Sequence, residues 1–176
     1  MHKNGREMSI EILKADITSL TVDAIVNAAN DGLWAGGGVC GAIFRAAGYD
    51  DLTKACEKIG GCKTGSAVIT PGFNLKAQYI IHAVGPVWQG GNSNERINLY
   101  NAYLRSLELA MENGLHSIAF PLISAGIFGY PKREAFSVAI AACKDFESAT
   151  NSYPIDIIFA VLDDDVKTIG EEILRG

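Results

Sequence analysis

The run Val22-Asp23-Ala24-Ile25-Val26-Asn27-Ala28-Ala29-Asn30, leading on to Gly36-Gly37-Gly38-Val39, decides the fold. Its short β-branched start reads as a central strand from Val22 to Val26, and the Asn- and Gly-bearing part as a loop. The Ala-rich stretch Val39 to Ala47 then reads as a helix, closed by Gly48. The pattern returns later in the chain. A strand from Ser117 to Phe120 leads into Ser124-Ala125-Gly126-Ile127-Phe128-Gly129, and a helix follows over Lys132 to Phe146, with Pro131 at its first turn. Two glycine loops thus sit between a strand and a helix. Their backbone N–H groups are not screened by side chains, and a helix N-terminus adds partial positive charge. The expected ligand is an anion of diphosphate type.

The rest of the chain fits around these two units. Ser9 to Ala15 reads as a strand. Leu52, Ala55, Cys56 and Ile59 recur at helical spacing until Gly60-Gly61 stops them. Strands over Ser66 to Thr70 and Tyr79 to Val84 are separated by Pro71-Gly72 and are expected to pair as neighbours. Ile97, Tyr100, Leu104, Leu107 and Met111 mark a long helix ending at Asn113-Gly114. Asp156 to Leu162 is the last strand, and Val166, Ile169 and Ile173 mark a closing helix. Alternating strands and helices predict an α/β protein with helices on both faces of the sheet, an α/β/α sandwich. In such sheets ligands lie beyond the carboxyl ends of the strands, so both loops should face one cleft.

Composition narrows the function. The chain has 176 residues, 48% of them apolar, enough for one well-buried core, and we expect a polar N-terminal tail over 1–8 and a single domain over 9–176. No long apolar run or signal-peptide pattern is present, so a cytoplasmic protein without membrane contact is expected. The net charge of −5 argues against general nucleic-acid binding, which needs clustered Lys and Arg. The anion site must therefore use backbone donors, the flanking basic residues being Arg45, Lys132 and Arg133. Cys40, Cys56, Cys62 and Cys143 are irregularly spaced and read as free thiols, with no metal set among them. Nothing calls for a cofactor, and the sequence leaves the oligomeric state open, a monomer being one reading. Gly61-Cys62-Lys63-Thr64 lacks the glycine spacing of a phosphate-binding nucleotide triphosphatase loop. A Cys40–His82 protease pair lacks an orienting third group; His82, inside an apolar strand, reads as a hydrogen-bonded core histidine, and His2 and His116 as peripheral. Trp34 and Trp88 read as packing residues or cleft borders.

Ala15-Asp16-Ile17-Thr18, the opening run, the glycine triplet, Ile81-His82-Ala83-Val84-Gly85-Pro86-Val87-Trp88, and Phe120-Pro121 through Gly129-Tyr130-Pro131 together resemble the macro domains, nearest the bacterial ADP-ribosyl hydrolases and O-acetyl-ADP-ribose deacetylases. The resemblance implies a six-stranded mixed sheet in the sandwich and a cleft for ADP-ribose or an ADP-ribosylated molecule. It implies that the Asp16 carboxylate accepts from the adenine amine, that the Ile17 N–H touches the ring, and that Leu162 gives adenine an apolar contact. Asn30 would bind the distal ribose, its amide offering both donor and acceptor. Ala28, Gly36, Gly37, Gly38 and Val39 on one side, and Ser124, Ala125, Gly126, Ile127 and Phe128 on the other, would enclose the diphosphate and distal ribose. Structural alternatives stand beside these roles. The alternative for Asp16 is a turn cap, for Asn30 a left-handed turn residue, for Asn27 a loop-packing residue and for Leu162 a strand-end core leucine.

The chain also departs from its relatives. Where the hydrolytic bacterial branch has an aspartate after the glycine triplet and its valine, and a histidine four positions on, this sequence has Cys40 and Phe44. Cys40 is either a thiol made reactive by a helix N-terminus or a small buried hydrophobe. Viral macro domains, similar in their second loop, carry an apolar residue at that place and imply that hydrolysis survives its loss. The expectation is a slow ester hydrolase using Asn30 and Cys40, working through position and electrostatics; the alternative is a binding module whose catalytic residues have drifted.

Overall fold

The computed structural model describes residues 8–176, so most of the expected tail lies outside the described residues. Met8 itself is buried against the main core cluster rather than belonging to a polar tail. The elements are β1 (Ser9–Lys14), a 3-10 turn (Ile17–Ser19), β2 (Ala24–Ala28), α1 (Gly38–Ala47), α2 (Tyr49–Ile59), β3 (Ala67–Pro71), β4 (Tyr79–Ala83), α3 (Glu95–Glu112), β5 (Ser117–Phe120), α4 (Lys132–Ala149), β6 (Asp156–Val161) and α5 (Asp164–Arg175).

The six strands form one mixed sheet in the order β1-β6-β5-β2-β4-β3, in which only the β3–β4 pairing is antiparallel. Side chains alternate between its faces, as the two-residue period of a strand requires. Ala24 and Val26 of β2, Ile118 and Phe120 of β5, and Ile157 and Phe159 of β6 turn toward α3, α4 and α5. Ile25, Ile80, Ala119 and Ala160 turn the other way, against Ile43 and Phe44 of α1 and Leu52 and Cys56 of α2. The larger core holds an aromatic cluster, with Tyr103 and Phe120 centroids 5.0 Å apart and Phe136 and Phe159 5.5 Å apart.

β2 and β3 lie further along the chain than the sequence reading placed them. β2 runs to Ala28 because Asn27 is a buried ladder residue, not part of a loop. Its start is held back to Ala24 by Asp23, whose N–H donates to Ser117 Oγ at 2.7 Å and whose Oδ2 accepts from His116 N–H at 2.7 Å. Pro71, read as a turn former, closes β3 instead. β3 is an edge strand, where a missing N–H costs no ladder bond.

β2 and β5 are the central pair, and the connections leaving them run in opposite directions across the sheet. This is a topological switch point, with a crevice at the carboxyl ends of the strands. Both glycine loops start there.

Candidate functional site

The crevice is a cavity of about 640 Å³. Every residue expected at the site from the sequence lines it: Asp16, Ile17, Ala28, Asn30, Gly36, Gly37, Gly38, Val39, Cys40, Ser124, Ala125, Gly126, Ile127, Phe128 and Leu162. Sequence reasoning gave no site role to the residues between them, namely Ala15, Ala29, Ala42, Gly85, Pro121, Leu122, Ile123, Ala160, Val161 and Val166, and named Lys132 only as a flanking basic residue. Most are small or apolar neighbours at the ends of β1, β4, β5 and β6. The opening of parallel strands onto one crevice was the signal that could have found them.

Loop one, residues 29–37, is tied together by its own side chains. Asn30 Nδ2 donates to the Trp34 carbonyl at 2.8 Å, and the Trp34 N–H donates to Asn30 Oδ1 at 3.1 Å. Cys40, at the start of α1, accepts from the Gly36 N–H at 3.4 Å, and its thiol points at the same Trp34 carbonyl at 3.9 Å. Gly38 has φ +56°, a backbone state that favours glycine, and a Cβ on Gly37 or Gly38 would meet nothing within 4 Å. The cleft side of the turn is therefore open. The N–H groups of Gly37, Gly38, Val39 and Cys40 find no protein acceptor among the described residues, α1 making its first bond from Gly41 N–H to the Gly37 carbonyl at 3.2 Å. They are the orphan donors of a helix N-terminus, on residues that line the cavity.

Loop two, residues 121–130, is shaped by backbone bonds and held from outside. Tyr130 N–H donates to the Ser124 carbonyl at 2.9 Å and Gly129 N–H to the Gly126 carbonyl at 3.0 Å. Ser124 is left-handed, φ +69°. Its Oγ is buried without a partner and lies against Gly85, where a Cβ would come within 2.2 Å of it. At the front of the loop, the hydroxyl of buried Tyr103 accepts from Ile123 N–H at 2.9 Å and donates to the Pro121 carbonyl at 3.2 Å. At the rear, Trp88 N–H donates to the Phe128 carbonyl at 2.8 Å, and the Trp88 and Tyr130 rings sit 4.7 Å apart. The N–H groups of Gly126, Ile127 and Phe128 again have no protein acceptor among the described residues. Ile127 is 89% exposed, an uncovered apolar side chain on the cavity wall.

At the far end of the cleft, Asp16 Oδ1 accepts from the N–H and hydroxyl of Thr18 at 2.9 and 2.8 Å. Asp16 thus caps the 3-10 turn, and it also lines the cavity. Leu162 is 69% exposed, so it is not the strand-end core residue that was its alternative. Lys132, the first residue of α4, brings one basic side chain into the lining; it forms no ion pair with a described residue, and the site is not purely a backbone construction. Among the described residues no three His, Cys, Asp or Glu side chains gather where they could hold a metal ion. No described helix is long and apolar enough to cross a membrane.

Behind loop one, outside the cavity lining, lies a buried polar group. Asn27 Nδ2 is 3.1 Å from His82 Nδ1, and Thr70 Oγ1 is 3.0 Å from His82 Nε2. With the amide nitrogen donating to Nδ1, the ring proton belongs on Nε2 and goes to Thr70, whose hydroxyl donates to the Pro71 carbonyl at 3.2 Å. Burial pushes the His82 pKa down from 6.5 to about 4, so the ring is neutral near pH 7. His82 is the core histidine the sequence indicated. Asn27, expected to pack a loop, is its partner within the sheet. Cys56 Sγ lies 4.0 Å from His82 Nε2, and burial raises its pKa to about 11. All four cysteines are free.

This arrangement has close counterparts. The Macro domain family matches residues 26–139. The O-acetyl-ADP-ribose deacetylase of Escherichia fergusonii is 47% identical over 169 residues, 94% of each chain. A macro domain-containing protein of Chlorobaculum tepidum is 56% identical over 136 residues, covering 77% of this chain and 78% of its own. Among solved structures, the Oceanobacillus iheyensis macrodomain with ADP superposes with a TM-score of 0.89 at 36% identity, covering 99% of this chain and 94% of that one. The Trypanosoma brucei macrodomain in complex with ADP-ribose gives 0.87 at 36% identity, with 94% of this chain and 68% of that one covered.

Proposed function

The chain belongs to the macro domain family, and from that premise we propose that its cleft binds ADP-ribose and hydrolyses ester-linked derivatives of it, O-acetyl-ADP-ribose or ADP-ribosylated acidic side chains. One observation carries the reading: two separate runs of backbone N–H groups without a protein acceptor among the described residues, Gly37–Cys40 and Gly126–Phe128, belong to residues that line one cavity. A pyrophosphate between them would supply the missing acceptors, and the partial charge at the start of α1 favours it. The Asp16 Oδ2 oxygen remains to accept from an adenine amine, with Leu162 beside the ring. Lys132 adds attraction for the anion at the mouth.

Hydrolysis in such a site rests on placement. Asn30 orients the distal ribose with the amide valences that Trp34 leaves over, and the loops fix the diphosphate. A water held against the diphosphate adds to the ester carbonyl; the bond from that carbonyl carbon to the ribose oxygen breaks, and a proton from the water ends on that oxygen. The products are a carboxylic acid and ADP-ribose. Removing the entropy of bringing these groups together is the main catalytic device. Calorimetric titration with ADP-ribose, followed by a turnover assay with O-acetyl-ADP-ribose and mono-ADP-ribosylated glutamate on the same preparation, tests the reading. Binding with ester cleavage above the buffer rate supports it. No binding defeats it.

A second reading, a binding module without turnover, draws on Cys40. Its thiol is engaged by Gly36 and Trp34 and offers no free base to the cavity. Affinity without cleavage is its signature, and a large rate gain in Cys40→Asp would show that the present site lacks a carboxylate.

A further inference from the structure

Behind loop two lies a feature that neither the cleft nor its chemistry accounts for. Residues 84–94 join β4 to α3 without regular structure, and Gln89, Gly91 and Ser93 are all exposed. Yet the segment wraps a carboxylate that is only 1% exposed. Glu95, the first residue of α3, accepts from the N–H of Gln89 at 2.7 Å and Gly91 at 3.1 Å through Oε2, and from the N–H of Ser93 at 2.6 Å through Oε1. No Lys or Arg forms an ion pair with it among the described residues. A buried, unpaired charge is costly and persists only when donors surround it, so these three bonds hold the exposed segment to the carboxylate. Burial alone would raise the Glu95 pKa; the backbone donors outweigh it and hold the group at about 2.

The segment held this way bears directly on the ligand-facing loop. Trp88, next to the first of the three donors, gives its N–H to the Phe128 carbonyl and packs its ring against that of Tyr130, tilted by 56°. Phe128 belongs to the run of free N–H groups in loop two. Because Gly126, Ile127 and Phe128 keep their N–H groups for a ligand, the loop cannot be fixed through them. Its rear half is fixed through the Phe128 carbonyl instead. We infer that Glu95 is a positioning residue for loop two: its carboxylate sets residues 89–93, these set Trp88, and Trp88 holds the turn that presents its amides to the diphosphate and distal sugar. The inference rests on the proposed ADP-ribose site, and it assigns to Glu95 a task distinct from capping α3.

The test uses Glu95→Gln, which keeps the side chain's shape but replaces one acceptor oxygen with an NH2 group facing N–H donors. ADP-ribose and AMP are titrated against both proteins, and hydrogen exchange is followed over residues 122–130 and over α1. The expected result is at least tenfold weaker ADP-ribose binding, an AMP affinity changed less than threefold, and faster exchange confined to the rear of loop two. Equal loss for both nucleotides in proportion to a lowered Tm would mark Glu95 as merely structural and overturn the inference. Unchanged ADP-ribose affinity and unchanged exchange would overturn it too. Wild-type protein that binds neither nucleotide would defeat the functional reading and the inference together, whereas wild-type binding matched by the variant defeats the inference alone. Should Glu95→Gln fail to fold, Glu95→Asp, charged but too short to reach all three donors, is put through the same comparison under the same criteria.

Discussion

Loop one and loop two present the same chemistry, free backbone amides at a crevice, but they are held in shape by different means. Loop one ties itself, with the Asn30 amide and the Cys40 thiol meeting at the Trp34 carbonyl. Loop two is tied by its neighbours, with the Tyr103 hydroxyl at one end and Trp88, backed by Glu95, at the other. A loop that reserves its N–H groups for a ligand must be fixed through its carbonyls and side chains. Loop one has polar side chains for the purpose. Loop two, reading Ser-Ala-Gly-Ile-Phe-Gly, has only one hydroxyl, and borrows from α3 and the β4–α3 segment.

Acid should separate the two most strongly. His82 sits behind loop one with its folded pKa near 4 against an ordinary 6.5, so the unfolded chain binds more protons between those values. The stability contributed by the neutral ring is complete above pH 6.5 and is lost as the pH falls toward 4, by about 3 kcal/mol in all. Glu95, behind loop two, stays charged until the pH approaches 2. Denaturant unfolding at pH 7.5 and 4.5 should show this loss in wild type and a clearly smaller one in His82→Gln. Equal losses would remove His82 from the account.

Two glycines probe how firmly each loop is backed. A Cβ on Gly85 would come 2.5 Å from Cγ2 of Ile123, itself fully buried, as well as within reach of Ser124 Oγ, while a Cβ on Gly41 would meet the Gly36 carbonyl oxygen at 2.6 Å. Ile123 belongs to loop two and is fully buried, so the loop cannot retreat there from an added Cβ, and Gly85→Ala should lower stability by about 2–3 kcal/mol, in the upper range of overpacking. Loop one is exposed around Gly36 and can yield, so Gly41→Ala should cost about 1 kcal/mol of stability, its main effect being weaker ligand binding. Thermal unfolding with calorimetry decides between them. A reversed order would mean that loop one is the stiffer of the two. Asn30→Ala comes next, losing two hydrogen bonds within loop one for about 1–2 kcal/mol of ADP-ribose affinity. Its effect should be confined to binding and turnover.

How much of this the sequence disclosed follows the same division. Each strand and helix carries its own period of apolar residues, and each glycine loop announces itself locally, so the layers and the two loops could be read from short windows, whereas Asp16, Ile17, Asn30 and Leu162 came from the resemblance to macro domains. The 3-10 turn at Ile17–Ser19 could not, being three residues set by the Asp16 cap. Asn27 was misplaced because asparagine signals turns, and only the partner 55 residues away explains a buried one. Glu95, Tyr103 and Trp88 act on loop two from 20 to 40 positions away in the chain, and no local pattern marks a residue by what it supports at that distance. Loop one's fastening was nearly legible, since Asn30 and Cys40 lie within it or beside it; what the sequence left open was whether they served the ligand or the loop.

Cys40 puts that question in its smallest form. Its sulfur accepts from Gly36 N–H at 3.4 Å and points at the Trp34 carbonyl from 3.9 Å, contacts too long to count as strong bonds. If the thiol serves the loop, Cys40→Ser should keep both partners with a shorter, better acceptor and change ADP-ribose affinity by no more than about 0.5 kcal/mol, while Cys40→Ala should lose up to about 1 kcal/mol. If the thiol serves catalysis, both substitutions should abolish ester cleavage and leave affinity alone. Calorimetry and turnover on the same two variants separate these outcomes. The first pattern makes loop one self-supporting through and through; the second would mean that one of its fasteners is also a reagent, and would break the parallel with loop two, whose fasteners all lie outside the cleft.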